Sequence, residues 1–385
     1  MDGQLAIPSQ FSPIALSMLK LDGVKSVPAP LQLPILEMIM IRLRAFSFLT
    51  ALCANAIFLE FSYAQANIKT HLSTGSSPVA YVYVVSNPRG SNVNEIVAFA
   101  AASDGKLTPV AGSPFQARVT SLAVNGKYLF GSTQNGLYVA QFQIESNGSL
   151  RWIRSTDVIR YNPNNCGTSG SLVLDHTGTS LYDFEAFGDC SNTTLEAFAI
   201  QKPSGQLHNL GVAGAGRYLY APLSFTGNNM YAYTMTCVPG FSSEVNAFRR
   251  AADGSLSSIN ITVPMPTPKQ GTSWCMSYAA ADPANHLATT LQPLVSNTPP
   301  YTADFAGPAQ LATYTVDNFG KLTTTSTYKN MPSTSVGTVL DINMAPSGTL
   351  LAVAGTLGLQ VFRFNGSNPI EHYTGLLTKE RVDQC

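Results

Sequence analysis

Few residues in this chain are equipped to do chemistry. There are five histidines in 385 residues, and two of them fall in turn sequences. Asp175-His176-Thr177-Gly178 and Asp282–His286 carry Asp, Gly and Asn where tight turns use them, so His176 and His286 read as turn residues. His208 follows a Ser-Gly turn and His372 lies near the end of the chain. No Ser-His-Asp ordering emerges. Gly167-Thr168-Ser169-Gly170-Ser171 approaches a nucleophile elbow but ends in Ser where that motif needs Gly. No Cys-x-x-Cys or clustered Cys/His spacing offers a metal site, and no cofactor motif is visible. What remains is a scatter of carboxylates, cations and hydroxyls: Arg160, Asp183, Glu185, Asp189, Arg217, Lys269, Tyr301 and Asp304. A carboxylate can activate water, and a cation or donor can stabilise a carbonyl oxygen as it turns anionic.

The background composition narrows the partners. Formal net charge is zero and only 11% of residues are charged. Neutrality removes the electrostatic case for nucleic acid or an anionic membrane surface. With 45% hydrophobic residues the chain can bury a large core. Plentiful Gly, Pro, Ser, Thr, Asn and Tyr predict many short strands joined by turns.

Residues 1–66 read as a leader. Residues 1–37 lack a period and carry scattered prolines. From Met40, Arg42 and Arg44 precede an apolar run, Ala45–Phe61, which ends at Ala64-Gln65-Ala66. This is the charged, apolar, small-residue order of a secretory signal peptide over residues 38–66, with translation expected to begin at Met38 or Met40. Asn55 and Glu60 interrupt the run, so no stable membrane span is expected after cleavage. The mature protein, from residue 67 to 385, is expected to be exported, periplasmic or extracellular.

The elements that must position any site come from a repeat. A polar-Gly-x-Leu turn recurs at Asp104-Gly105-Lys106-Leu107, Asn147-Gly148-Ser149-Leu150, Ser204-Gly205-Gln206-Leu207 and Asp253-Gly254-Ser255-Leu256. It returns with Phe in the polar place at Phe319-Gly320-Lys321-Leu322, and more weakly at Asn365-Gly366-Ser367. Each follows an alternating, aromatic-bearing strand such as Val97-Ala98-Phe99 or Val245-Asn246-Ala247-Phe248. Upstream lies a hairpin with its own Asn-Gly or Asp-x-x-Gly turn. Each unit therefore supplies four antiparallel strands, A to D, as a propeller blade does.

The combination Tyr81-Val82-Tyr83-Val84, a Val97-Ala98-Phe99 strand, Asp104-Gly105-Lys106-Leu107-Thr108-Pro109-Val110 and Gly112-Ser113-Pro114-Phe115 resembles the lactonase-type seven-bladed β-propellers. These are secreted relatives of 6-phosphogluconolactonase with YVTN-like repeats, and the resemblance spans about residues 79–378. It implies an all-β propeller of four-stranded antiparallel blades. About six of an expected seven blades can be counted. The first unit opens at Ala80 with strand B, and its A strand would ordinarily come from a C-terminal segment. The expectation is that the seventh blade and closing strand are missing from this sequence, leaving two open edges.

In such a blade the B–C loops and D–A connections share one face. That face is predicted to carry Cys166, Cys190, Cys237 and Cys275, with Cys166–Cys190 and Cys237–Cys275 as plausible disulfides among three possible pairings. Its loops, 157–170, 183–194, 232–244, 264–274 and 291–310, are the longest. The resemblance implies metal-independent hydrolysis of a sugar lactone or related cyclic ester there. Glu185 or Asp183 would serve as base and Arg160 or Arg217 as oxyanion partner. The alternative is a non-catalytic cell-envelope propeller that binds a small molecule, carbohydrate or protein on the same face.

Overall fold

The computed structural model describes residues 16–18, 78–86, 93–104, 106–133, 136–158, 167–187, 193–217, 222–237, 243–296, 303–345 and 347–378. Among them every regular element is a strand, and the strands form six antiparallel sheets arranged as a β-propeller. Blade 1 holds β1 (Leu16–Met18), β2 (Ala80–Ser86), β3 (Glu95–Ala101) and β4 (Leu107–Pro109), with β5 (Phe115–Gln116) pairing back onto β3. Blade 2 runs through β6 (Val119–Val124), β7 (Tyr128–Thr133), β8 (Tyr138–Ile144) and β9 (Leu150–Asp157). Blade 3 comprises β10 (Gly167–Leu174), β11 (Ser180–Phe187), β12 (Thr193–Ile200) and β13 (Leu207–Arg217). In blade 4 these are β14 (Ser224–Phe225), β15 (Tyr231–Cys237), β16 (Ser243–Arg250) and β17 (Leu256–Ile259). Blade 5 contains β18 (Ser273–Ala281), β19 (His286–Ser296), β20 (Ala303–Phe305), β21 (Gln310–Val316) and β22 (Leu322–Thr323); β20 is an extra strand against β19. Blade 6 ends the set with β23 (Val339–Met344), β24 (Leu350–Gly355), β25 (Gly358–Arg363) and β26 (Glu371–His372).

Successive residues of the middle strands are buried together. Tyr81, Val82, Tyr83 and Val84 of β2 are all below a tenth exposed, although neighbours on a strand point to opposite faces. Both faces of a blade are therefore covered, which is what stacking blades around an axis requires. Five core clusters each straddle one pair of neighbours, from blades 1 and 2 round to blades 5 and 6. A sixth, Val82 and Val84 with Phe99 and Leu107, belongs to blade 1 alone.

The recurring turn glycine serves two purposes. Gly148, Gly254 and Gly320 have φ of +82°, +99° and +80°, the left-handed region that Gly enters without strain. Their carbonyls accept hydrogen bonds from Tyr83, Tyr182 and Tyr233 of the preceding blade at 2.7–2.8 Å. A Cβ at Gly320 would lie 2.6 Å from the Tyr231 ring, so the close approach also requires Gly. Blade 2 has Phe130 at the tyrosine position, and Tyr128 and Gln141 reach Pro203 and Ser204 of the next turn instead. In blade 5 the turn's acceptor moves upstream: Asp317 Oδ1 takes the N–H groups of Phe319 and Lys321, which frees Phe319 to stand in solvent.

Two sequence expectations change. The A position of blade 1, expected to be vacant or filled from the C-terminus, is taken by β1, with Leu16 opposite Val84 and Met18 opposite Val82. Residues 183–187, expected in a loop, belong to β11, because the cross-strand register with β12 continues through Glu185↔Thr194. The proposed signal sequence, residues 38–66, lies outside the described residues. Among the described residues no helix is long and apolar enough to cross a membrane.

Candidate functional site

Four inner strands carry one residue too many for their B-strand partners. The irregularity falls between Val119 and Ser121, Gly167 and Gly170, Met276 and Ala279, and Val339 and Asp341. Such bulges bend a strand and re-aim its side chains. Here they lie toward the end that carries the D–A and B–C connections, so they shape one mouth of the central channel.

The blade 5–6 side of that mouth holds an unusual carboxyl. Asp341 follows the bulge of β23 and pairs with Ala354. The residue keeps some exposure, yet burial of its carboxyl pushes it up to about 6, against weaker opposing hydrogen bonds from the Ile342 backbone and Asn343. Asn343 Nδ2 donates to Asp341 Oδ2 at 2.8 Å. Tyr278, in the bulge of β18, packs against the core between blades 5 and 6. Burial pushes its hydroxyl up, and the Asp341 charge pushes it the same way, so it stays a protonated donor through the neutral range. The same two blades also carry exposed apolar side chains: Leu340 and Leu357 from blade 6, Val295 and Phe305 from blade 5.

Of the residues singled out by sequence, Glu185 and Arg217 fall at one end of blade 3. Glu185 pairs with Gly170 and Thr194, and Arg217 pairs with Thr193 one strand further out. Asp183 is fully buried, opposite Glu196 in the β11–β12 register, and its carboxylate accepts from Ser132 of blade 2 at 3.3 Å. Glu196 in turn accepts from Asn209. Asp183 thus sits between blades rather than at the mouth. Arg160, Asp189 and Tyr301 lie outside the described residues, while β20 places Asp304 opposite Val295.

The cysteines divide similarly. Cys237, at the end of β15, and Cys275, in β18, form a disulfide across blades 4 and 5 with their Cα atoms 4.9 Å apart. It closes 38 residues of chain at the mouth face. Cys166 and Cys190 lie outside the described residues. Among the described residues no group of three His, Cys, Asp or Glu is placed to hold a metal ion.

The turn histidines belong to the opposite face. His176 bonds the Phe225 carbonyl at 2.9 Å, and His286 Nδ1 meets Asp282 at 2.7 Å. Asp175 anchors its turn through Oδ1, which accepts the N–H groups of Thr179 and Ser180. Its Oδ2 accepts from Asn229 and pairs with Arg250 of blade 4 at 2.9 Å.

Asp341, Asn343 and Tyr278 were not singled out by sequence. The alternation in Leu340-Asp341-Ile342-Asn343-Met344 signals that Asp341 and Asn343 share the face opposite Ile342 and Met344, but nothing local says that this face is also buried.

No protein-family model and no curated protein matches the chain. Solved structures do. A Lactobacillus plantarum protein matches with a TM-score of 0.54 at 14% identity, covering 77% of this chain and 82% of that one. A Bacteroides fragilis protein, provisionally assigned as a 6-phosphogluconolactonase, matches at 0.51 and 19% identity, covering 79% and 83%. The periplasmic gluconolactonase of Pseudomonas aeruginosa matches at 0.50 and 18% identity, covering 77% and 82%. At such identities the likeness establishes architecture: this chain has the β-propeller fold of the lactonase-type proteins.

Proposed function

We propose that this chain is an exported, lactonase-like propeller that opens a cyclic ester with water at the blade 5–6 side of the channel mouth. The observation that carries the reading is the Asp341 carboxyl, held near 6 beside the bulge of the inner strand β23. A base serves best when its pKa lies close to the working pH, and strongly shifted groups in a concave site are candidates for function. Ionised Asp341 takes a proton from water as the water oxygen attacks the lactone carbonyl carbon. The Tyr278 hydroxyl donates to the carbonyl oxygen as it becomes anionic. Collapse breaks the ring C–O bond, the Asp341 proton passes to the leaving alkoxide, and a hydroxy acid results. Export is supported by the Cys237–Cys275 disulfide, since such bonds persist in oxidising compartments.

Asp341→Asn tests the proposal. Wild-type kcat/KM on a lactone panel should rise with pH through an apparent pKa of about 6. The variant should lose roughly 10²–10⁴-fold in rate while remaining folded. Undiminished turnover in the variant removes Asp341 from the mechanism. A flat response of the wild type across the panel would favour a non-catalytic binding propeller using the same face.

A further inference from the structure

We infer that the ligand of this mouth is an uncharged cyclic ester bearing an apolar substituent, rather than a phosphorylated sugar lactone. The inference rests on the lactonase reading for the ester and on the rim itself for the substituent.

Four large apolar side chains stand exposed on the two blades that flank Asp341. Leu340 is the extra residue of the β23 bulge and is 43% exposed. Leu357, 60% exposed, occupies the two-residue turn between β24 and β25. Its N–H bonds the Val336 carbonyl at 2.9 Å, and Thr356 bonds Thr338 at 3.0 Å, which fixes that turn over the chain entering β23. On blade 5, Phe305 and Val295 are 62% and 36% exposed on the added strand β20 and its partner β19. This strand is supplementary to the four-stranded blade, and its contribution to the face is an exposed aromatic ring. Gln292 Nε2 holds the chain just beyond it through the Gly307 carbonyl at 2.6 Å. Exposed apolar side chains on the blades that also carry a few polar groups match the usual composition of a small-molecule site.

Charge points the same way. The influences on the Asp341 carboxyl are burial, a backbone N–H and Asn343, with no cation among them. A phosphoryl group seated there would face that carboxylate in a poorly solvated setting, a like-charge contact that costs affinity. Lys329, on the connection from blade 5 to blade 6, has its ammonium 5.9 Å from the centre of its neighbour Tyr328's ring. An alkyl chain gains from the exposed apolar side chains without meeting that cost.

The test compares three probes on the purified full chain: δ-decalactone, glucono-δ-lactone and 6-phosphoglucono-δ-lactone. The expected result is a kcat/KM for δ-decalactone roughly tenfold or more above both sugar lactones. In the double variant Phe305→Ser, Leu357→Ser the preference for δ-decalactone over glucono-δ-lactone should fall by about tenfold. A preference for the phosphorylated probe, or a preference that the variant leaves intact, overturns the inference while the lactonase reading stands. If none of the three turns over, that reading fails separately. The ligand class is then read with the six-membered lactam analogue of δ-decalactone, which resists hydrolysis. Saturable binding by NMR titration, weakened in the double variant, sustains the apolar class; absence of binding overturns it.

Discussion

Two aspartates at the inner strands of this propeller have opposite fates. Asp175 closes β10 on the A–B face of blade 3, and Asp341 lies in β23 toward the other face of blade 6. Burial pushes both carboxyls up. At Asp175 that push is outweighed by hydrogen bonds from Thr177, Ser180 and Asn229 and by the Arg250 charge, so its pKa ends below the usual range. At Asp341 burial wins, and the carboxyl is held near 6. The Arg250 guanidinium also bonds Ser180 at 2.8 Å and the Tyr182 hydroxyl at 3.1 Å, tying blade 4 to blade 3. Asp341 has an amide, a backbone N–H and a tyrosine nearby. A fully satisfied carboxylate belongs to the scaffold; a burdened one can exchange a proton. That difference separates structural from chemical carboxylates here, where residue type does not.

The contrast breaks most severely at Arg250. Arg250→Met leaves the Asp175 carboxylate buried without its cation, and such losses cost about 3–5 kcal/mol. Urea unfolding at pH 7 should show it, and a change below about 1 kcal/mol would mean that the hydrogen bonds alone hold Asp175. Because the Asp175 pKa is depressed, its contribution is complete above the unfolded value, about 4, and disappears as pH falls through the folded one.

Asp341 should behave with the opposite sign. Its folded pKa exceeds the unfolded one, so the native state binds the extra proton and stability falls as pH rises from about 4 toward about 6. Asp341→Asn should therefore be more stable than wild type at pH 7, by on the order of 1–2 kcal/mol, with the gain vanishing at pH 4. Unfolding curves for the two proteins at pH 4, 5, 6 and 7 check this; parallel curves would show an unstrained carboxyl. The smallest effect is expected at Tyr182, whose hydroxyl links Arg250 to the Gly254 carbonyl. Tyr182→Phe should cost roughly 1 kcal/mol, less than Arg250→Met, and leave any lactone turnover unchanged. A loss equal to that of the arginine variant would place the strength of the network in the hydroxyl instead.

Much of the scaffold was legible locally. The polar-Gly-x-Leu turns appear where expected, because the need for positive φ is written into a few adjacent residues. Their bonds to Tyr83, Tyr182 and Tyr233 were not legible, since the partners lie 65 to 87 residues away. The disulfide partner of Cys237 could be placed on the right face by counting strands, because the repeat converts sequence position into a face of the ring. Asp183 was drawn to attention by its charge, and only the packing of blade 2 against blade 3 removes it from the mouth.

By itself the sequence determined the blade: alternation, turn chemistry and the order of four strands follow from short-range sterics and from which residues prefer to leave water. The tertiary structure decided how the blades meet. It put β1 against β2, gave each buried carboxyl its partners, and brought Asp341 of one blade near Tyr278 of the next. These outcomes depend on distances between residues remote in the chain, and on whether a charge there finds a cation or only a desolvated wall.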